Sequence, residues 1–160
     1  MLKKNLKSAR SALFGTLLVV GLTGCNASGP DAPTRNVRQV TDGVEATSGD
    51  VKAVNVLLVA QEDGSAVLVG TFTNSGETSD AITAITANGI LGEISVSTLD
   101  QYSGPAIFEG DSKNSSAKFT GLNAKASSHV ELEVSFATAA PMKLSALVRA
   151  KTDIYANVGN

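Results

Sequence analysis

The side chains that could do chemistry in this chain of 160 residues are few: one cysteine, Cys25, one histidine, His129, and, apart from Met1, one methionine, Met142. Thiolate, imidazole and thioether groups hold soft metal ions, and the first two also serve as nucleophile and general base, so their scarcity narrows what the chain can do. Cys25 closes the stretch Leu22-Thr23-Gly24-Cys25. It follows the basic residues Lys3, Lys4, Lys7 and Arg10 and an apolar run over residues 12–22 that is too short to span a bilayer comfortably as a mature helix. A small residue immediately before a cysteine at the end of such a segment is a lipobox. It predicts a signal peptide over residues 1–24, cleavage before Cys25, and a diacylglyceryl group on its sulfur. A lone thiol in an exported protein would otherwise have no disulfide partner and lie open to oxidants. Acyl chains contribute about 0.8 kcal/mol per buried methylene, so the expected location is the extracytoplasmic face of the cell membrane, with the bilayer itself as a partner.

The remaining candidates for chemistry are weaker. Glu131 and Glu133 stand on one strand face at a spacing that could mimic a catalytic carboxylate pair, but alternation alone generates a solvated face of this kind. Glycoside cleavage would also call for a sugar-binding groove, and the chain has no Trp. There is no Gly-x-Ser-x-Gly elbow and no phosphate-cradling glycine loop. The carboxylates of Asn74-Ser75-Gly76-Glu77-Thr78-Ser79-Asp80 lack the every-second-residue spacing of a calcium loop, so this stretch reads as a solvated turn. The chain is expected to be no enzyme and to use no cofactor.

Charge points the same way. After Cys25 there are nine basic and fifteen acidic residues, a net charge of −6. That balance speaks against nucleic acid and against electrostatic binding to anionic headgroups, both of which need clustered Lys or Arg.

The elements follow from hydrophobic period and punctuation. Residues 25–49 read as the lipidated cysteine, a Gly/Pro/Ser-rich tether and an irregular lead-in with room for a short edge strand. A β domain is expected over residues 50–150, and residues 151–160 read as a C-terminal tail. Val51–Ala60 is rich in β-branched residues and apolar on both parities towards its end, as a strand covered on both faces would be. Gly64 lies in the turn that returns the chain along residues 66–73. Residues 81–87 and 93–96 read as short strands joined by a hairpin or a sheet-crossing corner. His129–Phe136 alternates without a fault: Val130, Leu132, Val134 and Phe136 point inward, and Met142, Leu144, Ala146 and Val148 repeat the pattern. Short strands at this spacing with no amphipathic helix describe an all-β, two-sheet β-sandwich. Between them, residues 97–116 form a long polar interval interrupted by Ala106-Ile107-Phe108.

The order of lipobox, tether, Val54-Asn55-Val56-Leu57-Leu58-Val59, Thr71-Phe72-Thr73-Asn74, Asp80-Ala81-Ile82-Thr83-Ala84-Ile85-Thr86 and the closing pair around Phe136 and Leu144 resembles the small actinobacterial lipoproteins of the LpqE type. Those are distantly similar to periplasmic copper chaperones, and the resemblance implies a Greek-key, cupredoxin-like sandwich. Chaperones of that family bind Cu(I) through His and Met on two segments, which by pattern would fall near residues 93–98 and 112–119 here. Neither segment contains a His or a Met, which leaves His129 and Met142 as weak candidates for a metal site.

Two functions remain in view. One is a non-catalytic accessory lipoprotein that docks an envelope protein, with Tyr102, Pro105, Ile107 and Phe108 of the long interval as the first place to seek the interface. The alternative is a copper chaperone or small-ligand carrier with atypical ligands.

Overall fold

The computed structural model describes residues 41–95, 97–100 and 104–160. Cys25, the expected tether and Tyr102 lie outside the described residues. The described chain is an all-β, Greek-key, cupredoxin-like sandwich whose two layers enclose one core.

The first layer is built on β1 (Val44–Ser48), β2 (Val51–Ala60) and β3 (Ala66–Asn74). The lead-in holds the short strand it has room for: Asp42-Gly43 precedes β1 and Ser48-Gly49-Asp50 closes it. Ser48 pairs with Val51, so Gly49 and Asp50 form the turn of a tight hairpin, with Gly49 at φ 56°. Gly64, at φ 77°, turns β2 into β3 as expected.

The middle of β2 explains its apolar run. The pairing with β3 slips between Val54 and Leu57, where Asn55 takes φ 54°. This bulge changes the parity of the strand, so Val51 and Ala53 before it and Val56 and Leu58 after it all face the main core. Leu57 and Val59 are left pointing outward. They are buried there by Tyr155 and Val158, so residues 151–160 are a packed cover and not a free tail.

The second layer contains β4 (Asp80–Ala87), β10 (His129–Phe136) and β11 (Met142–Arg149), with β10 antiparallel to both neighbours. The alternation of the last two strands is realised: Val130, Leu132 and Val134 are buried opposite Ala146, Leu144 and Met142, and Phe136 is half-buried. β11 also runs parallel to β2 over Val148 and Leu58, which joins the two layers along one side.

The other side is closed by a corner. β5 (Ile90–Leu91) pairs with β4 in the second layer, and β6 (Glu93–Ile94) pairs with β9 (Ala117–Phe119) in the first, so the chain crosses between sheets at Gly92. A Cβ at residue 92 would lie 2.6 Å from the buried ring of Phe119, so only glycine fits the crossing. Of the two connections the sequence allows, the fold adopts the corner.

Within the interval 97–116, two described stretches pair as strands. β7 (Ser97–Leu99) pairs with β4 and β8 (Ala106–Phe108) pairs with β3. Asp80, read as the end of a solvated turn, is buried at the start of β4.

Candidate functional site: the β6–β9 corner

The two segments that would carry ligands in the chaperone pattern are neighbours in space. Glu93 pairs with Lys118 and Ile94 with Ala117. The pairing continues one step further, because the Ser95 amide donates to the Ser116 carbonyl at 3.0 Å and the Ser116 amide donates to the Ser95 hydroxyl oxygen at 2.9 Å. Ala117 and Phe119 point into the core, so Glu93, Ser95, Ser116 and Lys118 share the opposite face in a two-by-two patch. Directly opposed side chains on such a pair have Cβ atoms about 4.5–5.5 Å apart, close enough to act on one ligand.

The chemistry of this patch is that of hydroxyls, a carboxylate and an ammonium. The Thr120 hydroxyl lies 3.5 Å from Glu93 Oε1, and Lys118 Nζ lies 3.1 Å from Asp63 Oδ2 in the β2–β3 turn. Asp63 also accepts the hydroxyl and the amide of Ser65. The Ser65 hydroxyl first, then its amide and the Lys118 ammonium, hold the Asp63 carboxyl well below the usual carboxylate range. Oxygen donors beside a resident cation do not suit Cu(I), which selects thiolate, thioether and imidazole. Copper as cargo does not fit the residues at this corner.

Among the described residues the two soft donors, His129 and Met142, do not meet. His129 opens β10, exposed, opposite Leu147; Met142 is buried in the core opposite Val134. Five residue steps along the strand separate the two ends of that hairpin, about 17 Å at strand rise. No three His, Cys, Asp or Glu side chains gather as a metal cluster among the described residues. Glu131 stays on the solvent face, and Glu133 lies 3.8 Å from Lys143 in an exposed ion pair.

The loop proposed for a partner divides. Phe108 is 1 % exposed and packs edge-on against Phe72, with ring centroids 5.6 Å apart, so its ring belongs to the core and is withdrawn from any partner. Pro105 and Ile107 are half-buried. Asn114 clasps them: its side chain accepts the Ile107 amide at 2.8 Å and donates to the Pro105 carbonyl at 2.9 Å.

Two clusters had no motif in the sequence. Asp80 takes the amides of Ala81 and Thr138 on Oδ1, at 2.7 and 2.9 Å, and that of Ala139 on Oδ2, at 2.8 Å. Burial pushes its carboxyl up, but these amides and that of Ala137 outweigh burial and hold it below the usual range. The second cluster joins the start of the described domain to its end: the Tyr155 hydroxyl donates to Asp42 at 3.0 Å, and Arg149 lies 3.5 Å from the same carboxylate and 5.8 Å from the Tyr155 ring centroid. The only sequence signal for it was the apolar spacing of Tyr155 and Val158 within a polar tail.

No family model and no curated protein matches the chain. Solved structures do. The copper-bound PCuAC domain from PmoF2 is 17 % identical with a TM-score of 0.58, over 67 % of this chain and 98 % of that one. The apo PCuAC domain from PmoF1 is 17 % identical with a TM-score of 0.57, over 67 % and 99 %. The apo PCuAC domain from PmoF2 is 15 % identical with a TM-score of 0.57, over 69 % and 98 %. At such identities the likeness concerns architecture, and this chain shares the fold of the PCuAC domains.

Proposed function

We propose that the chain is a non-catalytic, lipid-anchored envelope protein of the LpqE type, in which a PCuAC-like sandwich serves as an accessory module for another envelope protein and not as a copper carrier. The observation that carries this reading is the corner patch of Glu93, Ser95, Ser116 and Lys118, where the two ligand-bearing segments of the chaperone pattern meet without a single soft donor. Its test is whether the chain withdraws Cu(I) from a chelator; stoichiometric withdrawal would overturn it.

A second reading, copper carriage with other ligands, is favoured by the copper-bound domain among the structural neighbours. It would have to draw on His129 or Met142, which stand at opposite ends of the β10–β11 hairpin. The first reading accommodates the ligand inventory better.

The anchor is tested separately. Replacing Cys25 by Ala should move the protein from the membrane to the soluble fraction, because the acyl chains supply nearly all of the membrane affinity of an acidic domain. Quantitative retention of the Cys25→Ala protein in membranes would contradict the lipoprotein reading.

A further inference from the structure

Two large apolar side chains stand exposed among the described residues, Leu91 and Ile154, the latter at 82 %. Ile154 lies in the short 3-10 helix Asp153–Tyr155. Its neighbour Tyr155 turns inward onto Leu57 and Val59, so the helix is pinned to the sandwich while Ile154 projects from it. A single exposed aliphatic residue is ordinary in itself. What distinguishes Ile154 is its place relative to the point where the chain enters the domain.

That point is fixed beside the helix. The Tyr155 hydroxyl donates to Asp42 at 3.0 Å, and Arg149 lies 3.5 Å from the same carboxylate. Seventeen residue steps join Cys25 to Asp42, and whatever their conformation they span at most about 60 Å. With Cys25 acylated, the side of the domain that bears Asp42 is the side whose distance from the bilayer is bounded most tightly. Leu91 stands elsewhere. Its strand β5 is separated from β2 by β4, β10 and β11 in one direction and by β6, β9 and β3 in the other, so it lies across the sandwich from the Tyr155 cover.

The charges around Ile154 are largely matched, Arg149 with Asp42 and Lys113 with Glu109, while Asp111 and Asp153 add negative charge. Attraction to anionic headgroups is therefore not the driving force. Apolar insertion needs no positive charge.

From the exposure of Ile154, its link to the entry of the domain and the bounded reach of the anchor, we infer that the Asp153–Tyr155 turn is a bilayer-contact site, with Ile154 inserted at the surface of the membrane that holds Cys25. The inference rests on the lipoprotein reading of Cys25. One aliphatic side chain adds little affinity, but on a tethered domain the contact is intramolecular, so it sets which face turns to the membrane. Leu91 and the adjoining corner at Glu93 then face away from the bilayer, open to a partner.

The chain has no Trp, so a single introduced ring reports its own surroundings. Ile154→Trp and Leu91→Trp, both at exposed positions, are made in the full acylated protein and reconstituted in phosphatidylcholine vesicles brominated near the headgroup end of the acyl chains. Trp itself favours the interface, so the second variant calibrates the first. Circular dichroism checks that both are folded, and flotation with the vesicles reads the anchor separately. Emission of Ile154→Trp should be quenched at least about threefold more than that of Leu91→Trp, and added salt should leave the difference in place. Protein that floats with the vesicles but is quenched equally, or not at all, at the two positions would overturn the proposal and leave the lipoprotein reading standing. Protein that does not float would overturn both.

Discussion

Asp80→Ala should lower the unfolding free energy by about 3 kcal/mol, measured by denaturant titration, because it removes a buried carboxylate that accepts three main-chain amides at once. The carboxylate spans two parts of the fold. It caps the Ala81 amide at the start of β4 and the Thr138 and Ala139 amides in the turn between β10 and β11. Asp80→Asn should recover only part of the loss, since one oxygen is replaced by a donor facing donors.

The same site sets a pH dependence. The native Asp80 carboxyl is held below its ordinary value of 3.8, so the folded state takes up its proton at lower pH than the unfolded chain does. The stabilisation is therefore fully present above about pH 4 and is lost as the pH falls through the lower native value. The stability of Asp80→Asn should fall less steeply over that acid range. Asp63, also depressed, keeps a residual slope of the same sign.

Phe108→Ala should cost about 3–4 kcal/mol, because a buried ring in edge contact with Phe72 leaves a cavity that the surrounding small side chains fill poorly. Ile107→Ala, at a half-buried position on the same strand, should cost about 1 kcal/mol or less. The contrast separates a core role from a partner-facing one. Equal, small losses in both variants, with the fold intact, would return Phe108 to the surface.

What the sequence revealed and concealed follows from where the information lies. The β10–β11 hairpin was legible because each strand has one dry and one wet face, so Val130, Leu132, Val134 and their partners carry an unbroken period of two. The apolar run in β2 announced two covered faces, but the agent covering the second was hidden in a polar stretch with only Tyr155 and Val158 to show. The two- and three-residue strands β5, β6, β7 and β8 have no period of their own. Their pairing with β3, β4 and β9 fixes them, and Gly92 is explained only once Phe119 lies beneath it. Asp80 looked like a turn residue because the turn amides it binds lie 58 and 59 positions along the chain.

The candidate site divides in the same manner. The absence of His and Met from residues 93–98 and 112–119 is plain in the sequence; that the two segments lie side by side, placing Glu93, Ser95, Ser116 and Lys118 on one face, is a tertiary fact. The fold is thus shared with the copper-bound PCuAC domain, while the side chains at this chain's corner are hydroxyls, a carboxylate and an ammonium.

That contrast is most directly tested by a Cu(I) competition titration of the purified full-length chain against a chromophoric chelator under reducing conditions. The account predicts that the chelator keeps its copper and its spectrum at all protein concentrations. Stoichiometric withdrawal of Cu(I), lost in His129→Ala or Met142→Ala, would contradict it and make the chain a copper carrier with an unfamiliar ligand set.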